Sequence, residues 1–100
     1  MYYIYILRSR TFGNYYVGHT DQPERRLSQH NTSDHSTFTS KYRPWEMVAL
    51  FECGKNRGAA VKIEKFVKKQ KSRTLIEKMI DGSELTGMLA QLVRVPHVRD

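Results

Sequence analysis

The sequence predicts a small mixed α/β domain: a three-stranded, mainly antiparallel sheet flanked by helices, in the order β-β-α-β-α-α. Three observations predict it. The chain has 100 residues, 39% of them hydrophobic, enough for one modest core and too few for a second. Two runs of aromatic and β-branched residues, 2–8 and 15–19, flank a glycine turn. A third extended run at 45–53 is followed by apolar residues at helical spacing through 59–70.

The elements follow in order. In the first run, Tyr3, Tyr5 and Leu7 alternate with Tyr2, Ile4 and Ile6, so it reads as a strand covered on both faces. Phe12-Gly13-Asn14 signals a turn, and Tyr15 to His19 closes a hairpin. Asp21-Gln22-Pro23-Glu24 reads as a helix start, with Asp21 as cap, Pro23 in the first turn and Glu24 three residues after the cap. That helix is expected to run from about Gln22 to His30 and to end near Asn31. Residues 32–43 are polar apart from Phe38 and read as a loop. Trp45 to Cys53 is the third strand, bounded by Pro44 and Gly54. The next helix, about 58–71, turns Ala59, Ile63, Phe66, Val67 and Gln70 onto one stripe. Ser72 caps a further helix over 73–80, with Leu75, Ile76 and Met79 inward, and Asp81-Gly82 stops it. Residues 1–82 thus carry the domain proper. Residues 83–100 are a tail of the same domain, with a short helix over 84–92 and a frayed end.

Seventeen Lys and Arg against ten Asp and Glu give a formal charge of +7. All of this excess lies in residues 55–78, which hold nine basic and two acidic side chains; the other 76 residues are balanced. Lys62, Lys65, Lys68, Lys69, Lys71 and Arg73 are the candidate contacts to a polyanion. The plainer alternative is a solvated helix face. No apolar stretch approaches ~18 residues, which excludes a transmembrane helix. The first residues lack the basic and apolar regions of an export signal. Cys53 is the only cysteine, so an internal disulfide is excluded and a cysteine-based zinc site is not expected. A basic, soluble, cytoplasmic domain with no membrane partner is the expectation.

Five side chains stand out. Tyr5 and Tyr16 lie on the two strands of one hairpin, where their hydroxyls can meet on one face. Arg26 and His30 share a helix face at i, i+4. Glu64 sits among lysines, either as an ion-pair partner of Lys68 at i+4 or as a site for a hard cation. His19, His35 and His97 have no partner that spacing identifies. Taken one at a time, each of the five has an ordinary structural explanation: packing tyrosines, an exposed helix pair, a surface ion pair. Together, beside a basic helix, they are the groups phosphodiester cleavage needs. A carboxylate holds a divalent cation, an arginine stabilises charge on the phosphoryl oxygens, and a Tyr or His orients or deprotonates water.

Tyr3-Ile4-Tyr5-Ile6-Leu7, then Tyr16-Val17-Gly18-His19-Thr20, then Glu24 through Asn31, Arg43-Pro44-Trp45 and Ala60 through Glu64 resemble the GIY-YIG endonuclease superfamily. The spelling is similar to its small single-domain bacterial branch, the YhbQ-like group. The resemblance covers residues 2 to about 80. It implies a central three-stranded antiparallel sheet and a single-metal phosphodiesterase mechanism using Mg²⁺ or Mn²⁺. It further implies that Tyr5 and Tyr16 are the two motif tyrosines, Arg26 the catalytic arginine, His30 the helix histidine and Glu64 the metal ligand. Gly18 becomes the motif glycine that lets substrate or backbone approach closely. Tyr3 stands where the name motif has Gly and Val17 where it has Ile, while Ile4 is retained; neither change removes a reactive group.

Three readings follow. The first is an endonuclease that cleaves DNA, branched or single-stranded, with RNA left open, in repair, recombination or processing, as a monomer or weak homodimer. The second is a non-catalytic nucleic-acid-binding module that grips through 55–78. A scaffolding role for the 83–100 tail is the third and weakest.

Overall fold

The computed structural model describes residues 1–32 and 38–96. Its strands are β1 (Tyr2–Ser9), β2 (Tyr15–Thr20), β3 (Trp45–Gly54) and a two-residue β4 (Val93–Arg94). All neighbours are antiparallel in the order β2-β1-β3-β4, so β1 is central and β2 an edge. The helices are α1 (Pro23–Thr32), α2 (Phe38–Lys41), α3 (Arg57–Gln70) and α4 (Arg73–Asp81), with a 3-10 turn over Gly87–Gln91.

The expected class holds, with an added strand. β4 is too short to show alternation; it pairs Arg94 with Phe51 and Val93 with Glu52. Arg94 secures it by donating to the carbonyls of Met79 and Ile80, both at 3.0 Å, at the open end of α4. The expected helix over 84–92 shortens to the 3-10 turn because Gly87 takes a left-handed φ of 61°, which ends any right-handed helix entering from Glu84. Within the expected loop, α2 supplies one turn, and the carbonyl of Thr39 accepts the Trp45 indole N–H at 2.7 Å. His35 and His97 lie outside the described residues.

β1 divides the core in two. Ile4 and Ile6 pack with Val17, Phe51, Ile63, Val67 and Met79 on the face that α3 and α4 cover. Tyr5 and Leu7 pack with Trp45, Met47 and Leu50 on the opposite face, where Leu27 of α1 joins them. None of these four β1 side chains is more than 2% exposed. At about 1.5–3 kcal/mol per buried large apolar side chain, a one-residue slip of β1 is excluded. The α3 stripe runs through Ala60, Ile63 and Val67; Ala59 is only half-buried and Gln70 is exposed.

Helix ends follow local chemistry. Asn56 caps α3 and Ser72 caps α4, each side chain accepting a backbone N–H three residues on. The start of α1 differs from expectation. Thr20 rather than Asp21 organises it, its buried hydroxyl accepting from Gln22 N–H at 3.0 Å, and Pro23 opens the helix.

Candidate active site

α1 buries no residue fully, so polar contacts carry much of its docking. The Asn31 side chain pairs with the Trp45 backbone in both directions, at 3.0 and 2.7 Å. Arg43 Nε donates to the His30 carbonyl at 2.6 Å. These bonds tie the last turn of α1 to the start of β3 and aim His30 at the hairpin. The Glu24-to-Asn31 run and the Arg43-Pro44-Trp45 run thus act as one device.

On the hairpin, Leu7 pairs with Tyr16 and Tyr5 with Gly18, which brings Tyr5, Tyr16 and Gly18 to the α1 face. Tyr5 Oη lies 2.8 Å from His30 Nε2, and Tyr16 meets the His30 ring edge-on with centroids 5.0 Å apart. The phenol of Tyr5 lies directly across Gly18. A Cβ there would fall within 2.9 Å of three phenol atoms. The glycine therefore makes room for Tyr5, whereas the expectation was an approaching substrate or backbone.

Burial, followed by the neighbouring Tyr16, pushes the Tyr5 hydroxyl well above its ordinary range. Burial and the charges of Arg26, Arg43 and Lys68 lower His30 from 6.5 to about 4. At neutral pH a protonated phenol therefore meets a neutral imidazole, with the O–H donating and Nε2 accepting. The unfolded chain takes up this histidine proton first, so the contribution is complete above pH 6.5 and lost as pH falls toward 4. Discounted for solvent screening of a half-buried ring, the loss is about 1–2 kcal/mol. Urea unfolding at pH 7 and pH 4.5 is expected to show native protein losing that much more than His30→Gln. Equal losses would assign the acid sensitivity elsewhere.

The other wall is α3. Glu64 Oε2 accepts from Lys68 Nζ at 2.8 Å, and Oε1 lies 2.5 Å from His19 Nδ1. The Lys68 ammonium also stands 4.8 Å from the Tyr16 ring centre. Burial works to raise the Glu64 carboxyl, but the hydrogen bonds from Lys68 and His19 outweigh it and hold the group below its ordinary value. Tyr5, Tyr16, His30, Glu64 and Lys68 therefore converge at the β2 edge. Arg26, exposed on α1, is near enough for its charge to act on both Tyr5 and His30.

The remaining candidates divide. Lys71 takes a left-handed φ of 48° at the end of α3 and joins Lys68, Ser72 and Arg73 around a groove of about 300 Å³ that Tyr15 and Tyr16 also line. Arg73 lies 4.6 Å from the Tyr15 ring centre. At about 100° per residue, Lys65, Lys69 and Lys62 point roughly 100–160° away from Glu64 around α3, and all three are exposed. Ile4 and Val17 are core residues, while Tyr3 lines a separate cavity of about 700 Å³ with Met47, Leu50 and Val95. His19 is the residue that spacing missed.

The family profile described as the GIY-YIG catalytic domain matches residues 1–78. The chain belongs to the GIY-YIG family. Its relatives include the structure-specific endonuclease subunit SLX1 of Ajellomyces capsulatus, 41% identical over 68 residues, which are 63% of this chain and 16% of that protein. The proteins of the same description from Podospora anserina and Chaetomium globosum are 45% and 42% identical over 69 residues, 64% of this chain in each case and 20% and 21% of theirs. This GIY-YIG domain thus spans about a fifth or less of the length of these curated relatives. They are fungal proteins, not the small bacterial branch that the motif spelling resembles.

One carboxylate is a sparse donor set. Among the described residues no three His, Cys, Asp or Glu side chains gather to hold an ion. Such a set fits a hard cation that keeps several waters and completes its shell with substrate phosphate, as Mg²⁺ does. In this GIY-YIG domain Glu64 is the residue that fits it.

Proposed function

We propose that this domain is a divalent-metal-dependent endonuclease that hydrolyses DNA phosphodiester bonds in repair or recombination. The observation that carries the proposal is the convergence of Tyr16, Glu64, Lys68 and the Tyr5–His30 pair at one sheet edge beside a basic groove. GIY-YIG nucleases are generally divalent-metal dependent. Here Glu64 would hold Mg²⁺ or Mn²⁺, which supplies charge withdrawal from the scissile phosphate and the leaving oxygen.

The protein's own groups do the rest. Arg26 stabilises charge on the phosphoryl oxygens. Tyr16 receives or orients the proton of the attacking water. What supports Tyr16 is its place: its ring centre stands 4.8 Å from the Lys68 ammonium that pairs with Glu64, whereas Tyr5 is 2% exposed. The strand beyond the scissile bond lies in the groove between Tyr15 and Lys71. Removing two of the three groove cations, Lys71→Ala with Arg73→Ala, is expected to weaken single-strand binding in EDTA. The slope of log affinity on log salt should become shallower by about 1.4. An unchanged slope would put the strand elsewhere.

The relatives' printed name, structure-specific endonuclease subunit, supports a substrate chosen by its structure and, through the word subunit, a partner chain in place of the expected monomer or weak homodimer. The test is nicking of supercoiled, branched and single-stranded DNA with Mg²⁺, with Glu64→Ala as control. Nicking that the substitution removes is the expected result. No cleavage of any substrate, or cleavage indifferent to the substitution, would overturn the proposal. Tight, steeply salt-dependent binding without cleavage would favour the second reading, a binding module, for which the same groove speaks.

A further inference from the structure

We propose that His19 is a positioning residue: its Nδ1–H fixes one oxygen of the Glu64 carboxylate so that the other is presented to the divalent cation on the Tyr16 side. The inference rests on the reading of Glu64 as the metal-holding group.

The two carboxylate oxygens have different partners of different character. Oε1 is 2.5 Å from His19 Nδ1, and both side chains are largely covered, 22% and 18% exposed. Oε2 meets Lys68 Nζ at 2.8 Å, on a side chain 43% exposed. His19 sits on β2 with its backbone paired to Ile4 of the central strand, so the imidazole is held by a rigid element. Lys68 reaches Oε2 on a long flexible stem from the same helix as Glu64. The fixed contact is therefore the histidine's and the exchangeable one the lysine's.

The lysine also marks a direction. Its ammonium touches Oε2 and stands 4.8 Å from the Tyr16 ring centre, so Oε2 faces the proposed site of water activation. Oε2 would be the oxygen to hold a divalent cation, in exchange for the Lys68 ammonium, with the His19 contact to Oε1 kept. A carboxylate free to rotate would have to be ordered by the incoming cation. One already held through Oε1 is preorganised, and groups that orient a metal ligand typically govern affinity by 10–100-fold.

His19→Ala, His19→Asn and His19→Gln test this. The Asn amide places an N–H donor the same number of bonds from Cα as Nδ1, whereas Gln moves it one bond out. In plasmid nicking, His19→Ala and His19→Gln are expected to raise the Mg²⁺ concentration for half-maximal rate by roughly tenfold or more, with little change in the rate at saturating Mg²⁺. His19→Asn is expected to restore the midpoint. In the metal-free native protein, nitrogen NMR is expected to show Nδ1 protonated, with a signal that moves in Glu64→Gln.

A midpoint unchanged in His19→Ala, or an Asn variant no better than Gln, overturns the inference. If Glu64→Ala is inactive while His19→Ala behaves as native, only the role of His19 fails. If native protein cleaves nothing, the nuclease reading fails, and an unprotonated Nδ1 or a signal indifferent to Glu64→Gln would overturn the contact itself. Should the alanine variant not fold, the Asn-against-Gln comparison decides.

Discussion

Glu64→Gln is expected to lower metal-dependent nicking by about a thousandfold or more. A metal ion that polarises a phosphoryl oxygen supplies several kcal/mol of transition-state stabilisation, and about 4 kcal/mol corresponds to roughly a thousandfold in rate. Gln keeps the shape of Glu, and its amide oxygen can still accept from His19. It removes the charge that holds a cation and that pairs with Lys68. The fold should survive, because an i, i+4 pair with an exposed lysine is worth only about 0.3–0.5 kcal/mol. The pH dependence gives an independent check. A carboxyl held below its ordinary 4.5 contributes stability that is present above that value and lost as pH falls through the lowered one. The native–variant stability difference should therefore shrink in acid. Nicking retained above about a tenth of native would mean that the cation is not held by Glu64.

Much of the site is legible in the chain because it depends on short-range geometry. Two tyrosines reach one face once the hairpin register is set, and Arg26 and His30 share a helix side at i, i+4. His19 is not legible for the same reason. A period of two puts it on the opposite side of β2 from Tyr16, and only the placement of α3 against that edge brings Glu64 to it. Asn31 with Trp45 and Arg43 with the His30 carbonyl are contacts 13 or 14 residues apart, which no local pattern encodes. The basic run reads as one patch when charges are counted along the chain. Helical rotation separates Lys68 at the site from Lys62, Lys65 and Lys69 on the outer side.

Gly18→Ala is the second substitution expected to have a large effect, on stability and activity together. The added methyl would meet Cε2, Cζ and Oη of Tyr5 at 2.9 Å or less. Tyr5 has little room to yield, since it is 2% exposed, packs with Leu7, Trp45, Met47 and Leu50, and bonds His30 through its hydroxyl. Overpacking of this kind costs about 1–3 kcal/mol, and breaking the Tyr5–His30 bond adds roughly 1 kcal/mol. The combined expectation is a loss of about 2–4 kcal/mol in urea unfolding. The ring must tilt out of its place, which carries His30 away from Tyr16 and lowers nicking with it. A double-mutant cycle separates this steric account from a simple dislike of alanine at an edge strand. In a Tyr5→Leu background the obstructing hydroxyl and ring carbons are gone, so Gly18→Ala should cost well under 1 kcal/mol there. If it costs as much as in native protein, the clash with Tyr5 is not why this position is glycine.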